Sequence, residues 1–305
     1  MLLVSALISE DQVGLDQMGP DQVKSLVEAL ASDQVQLVSL RGCGLSDQDW
    51  TRICGSLIQT QSLLQLNLSL GVVCSTTRTQ DLSRVLLRNR SLNTLFLHGN
   101  MLSGPGSLVL FRSLAVHPAL LSLDLGDCSL SDRELDHVCG LLPPDGAKPG
   151  LQELSLSSNP AISSRSWTRL CVAVAHSSRL RVLRLDFNPL GDRVAGMLAV
   201  AVASSRTLQT LDLEGTGLTE VSGQAFLDLL LLFPSSLRVL VLTENRISAE
   251  VQRRVQELLS ERDEPIREEH PQQQPLRARV CQPGGAHTVL LTSGLGDNLL
   301  DETEM

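Results

Sequence analysis

Between Val35 and Ile247 apolar and polar positions recur in one order, L-x-x-L-x-L-x-x-(N/C/T)-x-L, eight times over. The clearest copies read LNTLFLHGNML from Leu92, LLSLDLGDCSL from Leu120, LRVLRLDFNPL from Leu180, LQTLDLEGTGL from Leu208 and LRVLVLTENRI from Leu237. The ninth position is held in turn by Cys43, Gly71, Asn100, Cys128, Asn159, Asn188, Thr216 and Asn245, with steps of 28, 29, 28, 31, 29, 28 and 29 residues between them. So regular a period predicts stacked units, each unable to bury its apolar face alone, rather than a globule with one closed core.

Within a copy the alternation Leu-x-Leu, as in Leu123-Asp124-Leu125, places both leucines on one face of a short strand and the residue between them on the other. The ninth residue falls in the turn leaving that strand. An Asn amide there donates to and accepts from backbone groups, and Cys or Thr supplies a smaller donor in the same slot. Cys43 and Cys128 therefore read as ladder members, not as nucleophiles or metal ligands.

The second half of each copy has a helical period. Trp50, Ile53, Cys54, Leu57 and Ile58 fall at i, i+3, i+4, i+7 and i+8, and Trp167, Leu170, Cys171, Val174 and Ala175 repeat that spacing. So do Val194, Met197, Leu198, Ala201 and Val202. Ser46, Ser103, Ser131, Thr219 and Ser248 directly follow the last ladder position and are expected to cap the helices, with Ser131 and Glu134 at capping-box spacing. Strands stack at about 4.8 Å and helices at about 10 Å, so the stack must bend with its strands inside. The expected fold is α/β: a right-handed solenoid, or horseshoe, with a parallel sheet on its concave face and helices on its convex face.

The pattern lapses in three places. The second copy carries Gly71 at the ninth position and runs into VVCSTT, which predicts an irregular helix start. The long step holds Pro143, Pro144, Gly146, Pro149 and Gly150, which predicts an enlarged loop. The division that follows is a solenoid with an N-terminal capping segment over residues 1–258 and a polar, Pro/Gln-rich, acidic tail over 259–305, without periodicity and expected to be disordered. That tail closes on an apolar-acidic motif in which Val289, Leu290, Leu291, Leu295, Leu299 and Leu300 alternate with Asp297, Asp301, Glu302 and Glu304. The motif reads either as a docking peptide that folds on a partner or as a segment that folds back on the end of the solenoid.

Charge narrows the functions. Asp and Glu number 34 against 25 Lys and Arg, and Lys24 and Lys148 are the two lysines, so no cluster of cations is available for a nucleic-acid backbone. Seven cysteines without paired spacing suit a reducing compartment. MLLVSALISE lacks the basic flank and cleavage site of a signal peptide, and no run approaches the ~20 apolar residues of a membrane span. A cytoplasmic, non-secreted protein without membrane or nucleic-acid partners is expected. Asn67-Leu-Ser69 and Asn89-Arg-Ser91 match the glycosylation pattern but have little weight in such a chain.

Alternating 28- and 29-residue steps, each with a strand and a full helix, resemble the ribonuclease-inhibitor type of leucine-rich repeat. That type is also found in the sensor halves of NOD-like receptors and in Ran GTPase-activating protein. The resemblance implies a repeat fold, a concave wall open to a partner and little chemistry. It also has limits: there is no G-x-x-x-x-G-K-[ST] loop, hence no nucleotide-binding engine of a NOD-like receptor, and the chain is far from the cysteine density of ribonuclease inhibitors.

Residues alternating with the ladder leucines face the concavity. Between the two leucines these are Ser39, Asn67, Phe96, Asp124, Ser155, Arg184, Asp212 and Val241; two positions on come Arg41, Ser69, His98, Gly126, Ser157, Asp186, Glu214 and Thr243. From the fourth copy onward this wall is acidic, broken mainly by Arg181 and Arg184. Phe96 and Phe187 stand out in a chain that is 2% aromatic. The candidate partner-binding set is Phe96, His98, Asp124, Arg184, Asp186, Phe187, Asp212 and Glu214, matched to a basic protein or peptide. The six histidines are scattered without metal-ligand spacing, and carboxylates on an open wall have no closed pocket to tune them, so neither metal, cofactor nor catalysis is expected. The reading is a non-catalytic interaction scaffold or adaptor; the alternative, regulation of a small GTPase, rests on analogy with the Ran activator.

Overall fold

The computed structural model describes residues 3–7, 17–142, 150–263 and 287–292. Strand and helix alternate through β1 (Leu3–Leu7), α1 (Pro20–Ala31), β2 (Val35–Ser39), α2 (Asp47–Gln59), β3 (Gln65–Asn67), α3 (Thr76–Arg88), β4 (Thr94–Phe96) and α4 (Ser107–Val116). They continue through β5 (Ser122–Asp124), α5 (Asp132–Cys139), β6 (Glu153–Ser155), α6 (Ser164–His176), β7 (Val182–Arg184), α7 (Gly191–Ser204), β8 (Thr210–Asp212), α8 (Glu220–Leu232), β9 (Val239–Val241), α9 (Ala249–Asp263) and β10 (His287–Thr292). Among the described residues the strands form one sheet in the order β1-β10-β2-β3-β4-β5-β6-β7-β8-β9.

From β2 onward every pairing is parallel and steps by one coil. Val38, Leu66, Leu95, Leu123, Leu154, Leu183, Leu211 and Leu240 lie side by side in register across β2 to β9. All eight are at most 1% exposed. The chain is thus a leucine-rich-repeat solenoid, with the ladder leucines inward on adjacent rungs and the helices closing the other side of one continuous core.

The ninth-position turn works as its chemistry predicts. Asn159 Nδ2 donates to the carbonyls of Leu125 and Leu156, while its Oδ1 accepts from the N–H groups of Cys128 and Leu130. Asn100, Asn188 and Asn245 repeat the arrangement in their own coils. Cys128 Sγ points to the Leu97 carbonyl at 3.1 Å, and Thr216 Oγ1 donates to that of Leu213. The Asn and Cys side chains join their own coil to its neighbour, and Thr216 closes its own turn, satisfying backbone groups that no strand reaches.

A further linkage joins the helix starts. Asp132 accepts from the N–H and hydroxyl of Ser163, Asp192 from those of Thr219, and Glu220 from those of Ser248. An acid in one helix's first turn therefore holds the start of the next coil's helix, where orphan amides favour negative charge. These bonds hold Asp132 and Glu220 below the ordinary carboxylate range, and the Ser222 hydroxyl first, with Thr219 after it, does the same for Asp192.

Two local expectations fail. Ser103 caps nothing, because α4 starts late, at Ser107 after Gly106. Met197 is 37% exposed, since Ala195 and Ala199 complete the α7 stripe and turn Met197 to its edge. The second coil, which lacks an Asn at Gly71, is tied to the first by Arg78 instead. Its guanidinium is buried over the Trp50 ring and donates to the carbonyls of Val72 and Leu45 and to Asp47.

At the ends, β10 lies parallel between β1 and β2, so this part of the tail is a strand at the N-terminal end of the sheet. The stretch 264–286, which includes Cys281, and the stretch 293–305, which includes Leu295, Leu299 and Leu300, lie outside the described residues, as do Pro143, Pro144, Gly146 and Pro149 of the long step. The helix α9 runs past residue 258 to Asp263.

Candidate functional site

Position eight of the repeat, just before the Asn/Cys/Thr slot, builds the rim of the concave wall. Gly42, Gly99 and Gly215 occupy it with positive φ, and so do Leu70, Asp127, Ser158, Phe187 and Glu244. Every coil turns through the left-handed region there, which glycine enters without strain and a bulky side chain does not. Phe187 sits at φ 55° and is 52% exposed. Its ring lies over Gly215 of the next coil, where a Cβ would stand 2.7 Å from Phe187 Cδ1. A matching fit is made by His98 over Gly126, where a Cβ would stand 2.5 Å from His98 Nδ1.

The eight candidate residues divide into two groups. Arg184 pairs with Asp212 across β7 and β8, and Asp186, Phe187 and Glu214 continue those same two rungs into the turn. Ser157 Oγ donates to Asp186 Oδ1 at 2.5 Å, Thr243 Oγ1 to Glu214 Oε1 at 3.0 Å, and the Glu214 N–H to Asp212 Oδ1 at 3.1 Å. Burial first, then the neighbouring Asp186 and Glu214 charges, hold the Asp212 carboxyl above its ordinary value, against the pull of the Glu214 N–H and Arg184. Phe96, His98 and Asp124 form the other group on β4 and β5, about 14 Å away at three strand spacings of ~4.8 Å. Ser155 of β6 and Ser157 just after it lie between them. Of the eight, Phe187 and Arg184 are exposed and the rest are half-buried.

Apart from the exposed Cys74, the described cysteines are buried or half-buried. Burial pushes the Cys54, Cys128 and Cys171 thiols up to about 12 and the Cys139 thiol up to about 11, so these sulfurs stay protonated and inert near neutrality. Asn89 of the second glycosylation pattern is 2% exposed, with its amide on the Leu57 and Thr60 carbonyls, so in the folded chain it is closed to modification. Among the described residues no group of three His, Cys, Asp or Glu could hold a metal ion, and no helix is long and apolar enough to cross a membrane.

The rim at position eight went unread in the sequence, although Gly42, Gly99 and Gly215 recur there. Three glycines in eight copies were its signal.

No protein-family model matches the chain. It is 50% identical to leucine-rich repeat-containing protein 73 of Homo sapiens over 98% of its own length and 100% of that protein's. It is 28% identical to the ribonuclease inhibitor of Sus scrofa, over 85% of this chain and 63% of the inhibitor. Among solved structures, the leucine-rich repeat-containing protein LegL7 of Legionella pneumophila matches with a TM-score of 0.50 and 19% identity, over 78% of this chain and 77% of that one.

Proposed function

The chain belongs to the leucine-rich repeat-containing protein 73 family, and from that premise we propose a non-catalytic interaction scaffold that holds a basic segment of a protein partner against β7 and β8. The observation that carries this reading is Phe187, a half-exposed aromatic kept in left-handed backbone over Gly215 and flanked by the carboxylates of Asp186 and Glu214. An aromatic anchor inside a ring of like charges suits a cationic, partly apolar ligand. Phe96, His98 and Asp124 supply a second contact along the same wall, which favours an extended partner. The six described cysteines are all free, which supports a reducing, cytoplasmic setting.

The test uses a fluorescent arginine- and lysine-rich peptide with the full chain, and in parallel proximity labelling in cells. Reversal of Asp186, Asp212 and Glu214 to Lys is expected to weaken peptide binding at least tenfold and to remove specific partners from the labelled set. If all three reversals leave both readouts unchanged, the concave site is wrong.

A further inference from the structure

The two ends of the sheet are finished differently. At the N-terminal end β2 is covered by β10 and then by β1. At the other end β9 is the outermost strand, and the ladder of backbone donors stops there. In earlier coils Leu156 donates to the Arg184 carbonyl, Leu185 to Asp212 and Leu213 to Val241; one turn later Ser158 donates to Asp186, Phe187 to Glu214 and Gly215 to Thr243. The equivalent N–H groups of the last coil, on Leu242 and Glu244, find no backbone acceptor among the described residues. Leu242 is nevertheless only 4% exposed.

Beside this edge is a cavity of about 230 Å³, walled by Val239 to Thr243 and by Gln252, Arg253 and Gln256. That is below the ~300 Å³ where small-molecule pockets begin, and suits side chains of a strand better than a ligand. Parallel register makes the Leu240 carbonyl the acceptor that a further strand's amide would meet, as Val241 meets Leu211 one rung back. Gln256 Nε2 donates to that carbonyl at 2.9 Å, standing in for the missing amide.

The occupant is narrowed by three facts. First, the sequence does not provide the next rung in place: one repeat beyond Leu240 and Leu242 stand Glu268 or Glu269 and His270 or Pro271. Second, the side of α9 beside the edge is polar, with Gln252, Arg253 and Gln256, so stacking another helix-bearing coil or a second copy of the solenoid would bury charge. Third, the sheet layer itself is aliphatic there, and Val239 is 46% exposed. The helix layer is closed while the strand layer is open.

We propose that the free edge of β9 is a strand-accepting site that takes an extended, aliphatic segment of a partner protein, with Leu-x-Leu alternation, as one more rung of the ladder. The recognition is main-chain hydrogen bonding to Leu242 and Glu244 plus aliphatic side chains entering the cavity. This site is separate from the acidic wall on β7 and β8 and stands or falls independently of it.

The probe is a labelled peptide TLQTLDLEGT, the sequence of residues 207–216, added to the full chain with a scrambled peptide as control. Saturable binding is expected, with amide hydrogen exchange at Leu242 and Glu244 slowed at least tenfold. Val239→Lys, an exposed edge charge that leaves the core intact, is expected to abolish binding without changing the melting temperature. Gln256→Ala, which frees the Leu240 carbonyl, is expected to tighten binding severalfold. No binding, or binding that leaves the Leu242 and Glu244 amides unprotected, overturns the proposal. So does protection confined to β2, which would place the peptide at the opposite end. Concentration-dependent protection of the same amides without peptide also overturns it, because a second copy would then be the occupant. Since exchange in the unmodified chain is decisive alone, a Val239 variant that fails to fold leaves the test intact.

Discussion

The second coil and the sixth both break the repeat, and they break it in different layers. In the second coil the fault is internal: Gly71 replaces the amide that would join neighbouring turns, and Arg78 comes in from α3 to satisfy the Val72 and Leu45 carbonyls. In the sixth the interior is complete, with Asn188 bonded to the Leu156 and Leu185 carbonyls, and the irregularity is Phe187 on the rim. A departure inside the ladder draws a compensating group from elsewhere in the fold. The departure at Phe187 keeps its left-handed backbone and leaves its ring half exposed, so it points to work done outside the fold.

The largest way to break this comparison is Arg78→Ala. Two carbonyls and the Trp50 face lose their partner at once in a buried site, so unfolding free energy should fall by about 3–5 kcal/mol. Chemical denaturation followed by circular dichroism measures it. A loss under about 1 kcal/mol, the range of an ordinary surface ion pair, would mean that Arg78 is not what ties the second coil to the first.

A second interior group sharpens the same rule through pH. His117, at the end of α4, is 5% exposed, and burial first, with the Arg90 charge second, pushes its pKa from 6.5 down to about 4. Above pH 6.5 the ring is neutral in both folded and unfolded chains and its full stability is present. As pH falls from 6.5 towards 4 the unfolded chain takes up the proton first, so stability is lost across that window at no more than about 1.4 kcal/mol per pH unit. Summed over that window, the loss is at most about 3 kcal/mol. His117→Gln should flatten the difference in denaturation midpoint between pH 6.5 and 4.5, and an unchanged slope would relocate the titrating group.

The interior was legible from the sequence and the rim was not, for a physical reason. A buried leucine or a turn asparagine has few substitutes, so Leu123, Leu154, Leu183 and Leu211 announce their register, and Asn100, Asn159 and Asn188 their slot. Left-handed backbone is tolerated by several residue types at modest expense, and five of the eight rim positions are not glycine. Arg78 was hidden because a charged residue near a helix start usually faces water. The acid links Asp132 to Ser163 and Asp192 to Thr219 were hidden because their partners lie a whole coil away. In the candidate site the acidic wall was visible, whereas its division into a β4–β5 group and a β7–β8 group needed the rungs counted in space.

The smallest expected effect on stability is also the sharpest separation of the two layers. Phe187→Gly removes a ring that is 52% exposed and replaces left-handed phenylalanine with the residue that adopts φ 55° freely. Relief of backbone strain favours the folded state, and the greater freedom of glycine in the unfolded chain opposes it, so the net change should be about 0–1 kcal/mol in the stabilising direction. Binding of the basic peptide should fall at least tenfold in the same variant, because the anchor between Asp186 and Glu214 is gone. An interior role gives the opposite signature: a loss of several kcal/mol, as in large-to-small core substitutions, with binding reduced only through unfolding. Equilibrium denaturation and peptide titration on one protein preparation distinguish them, since stability and binding must move apart if Phe187 serves a partner and together if it serves the fold.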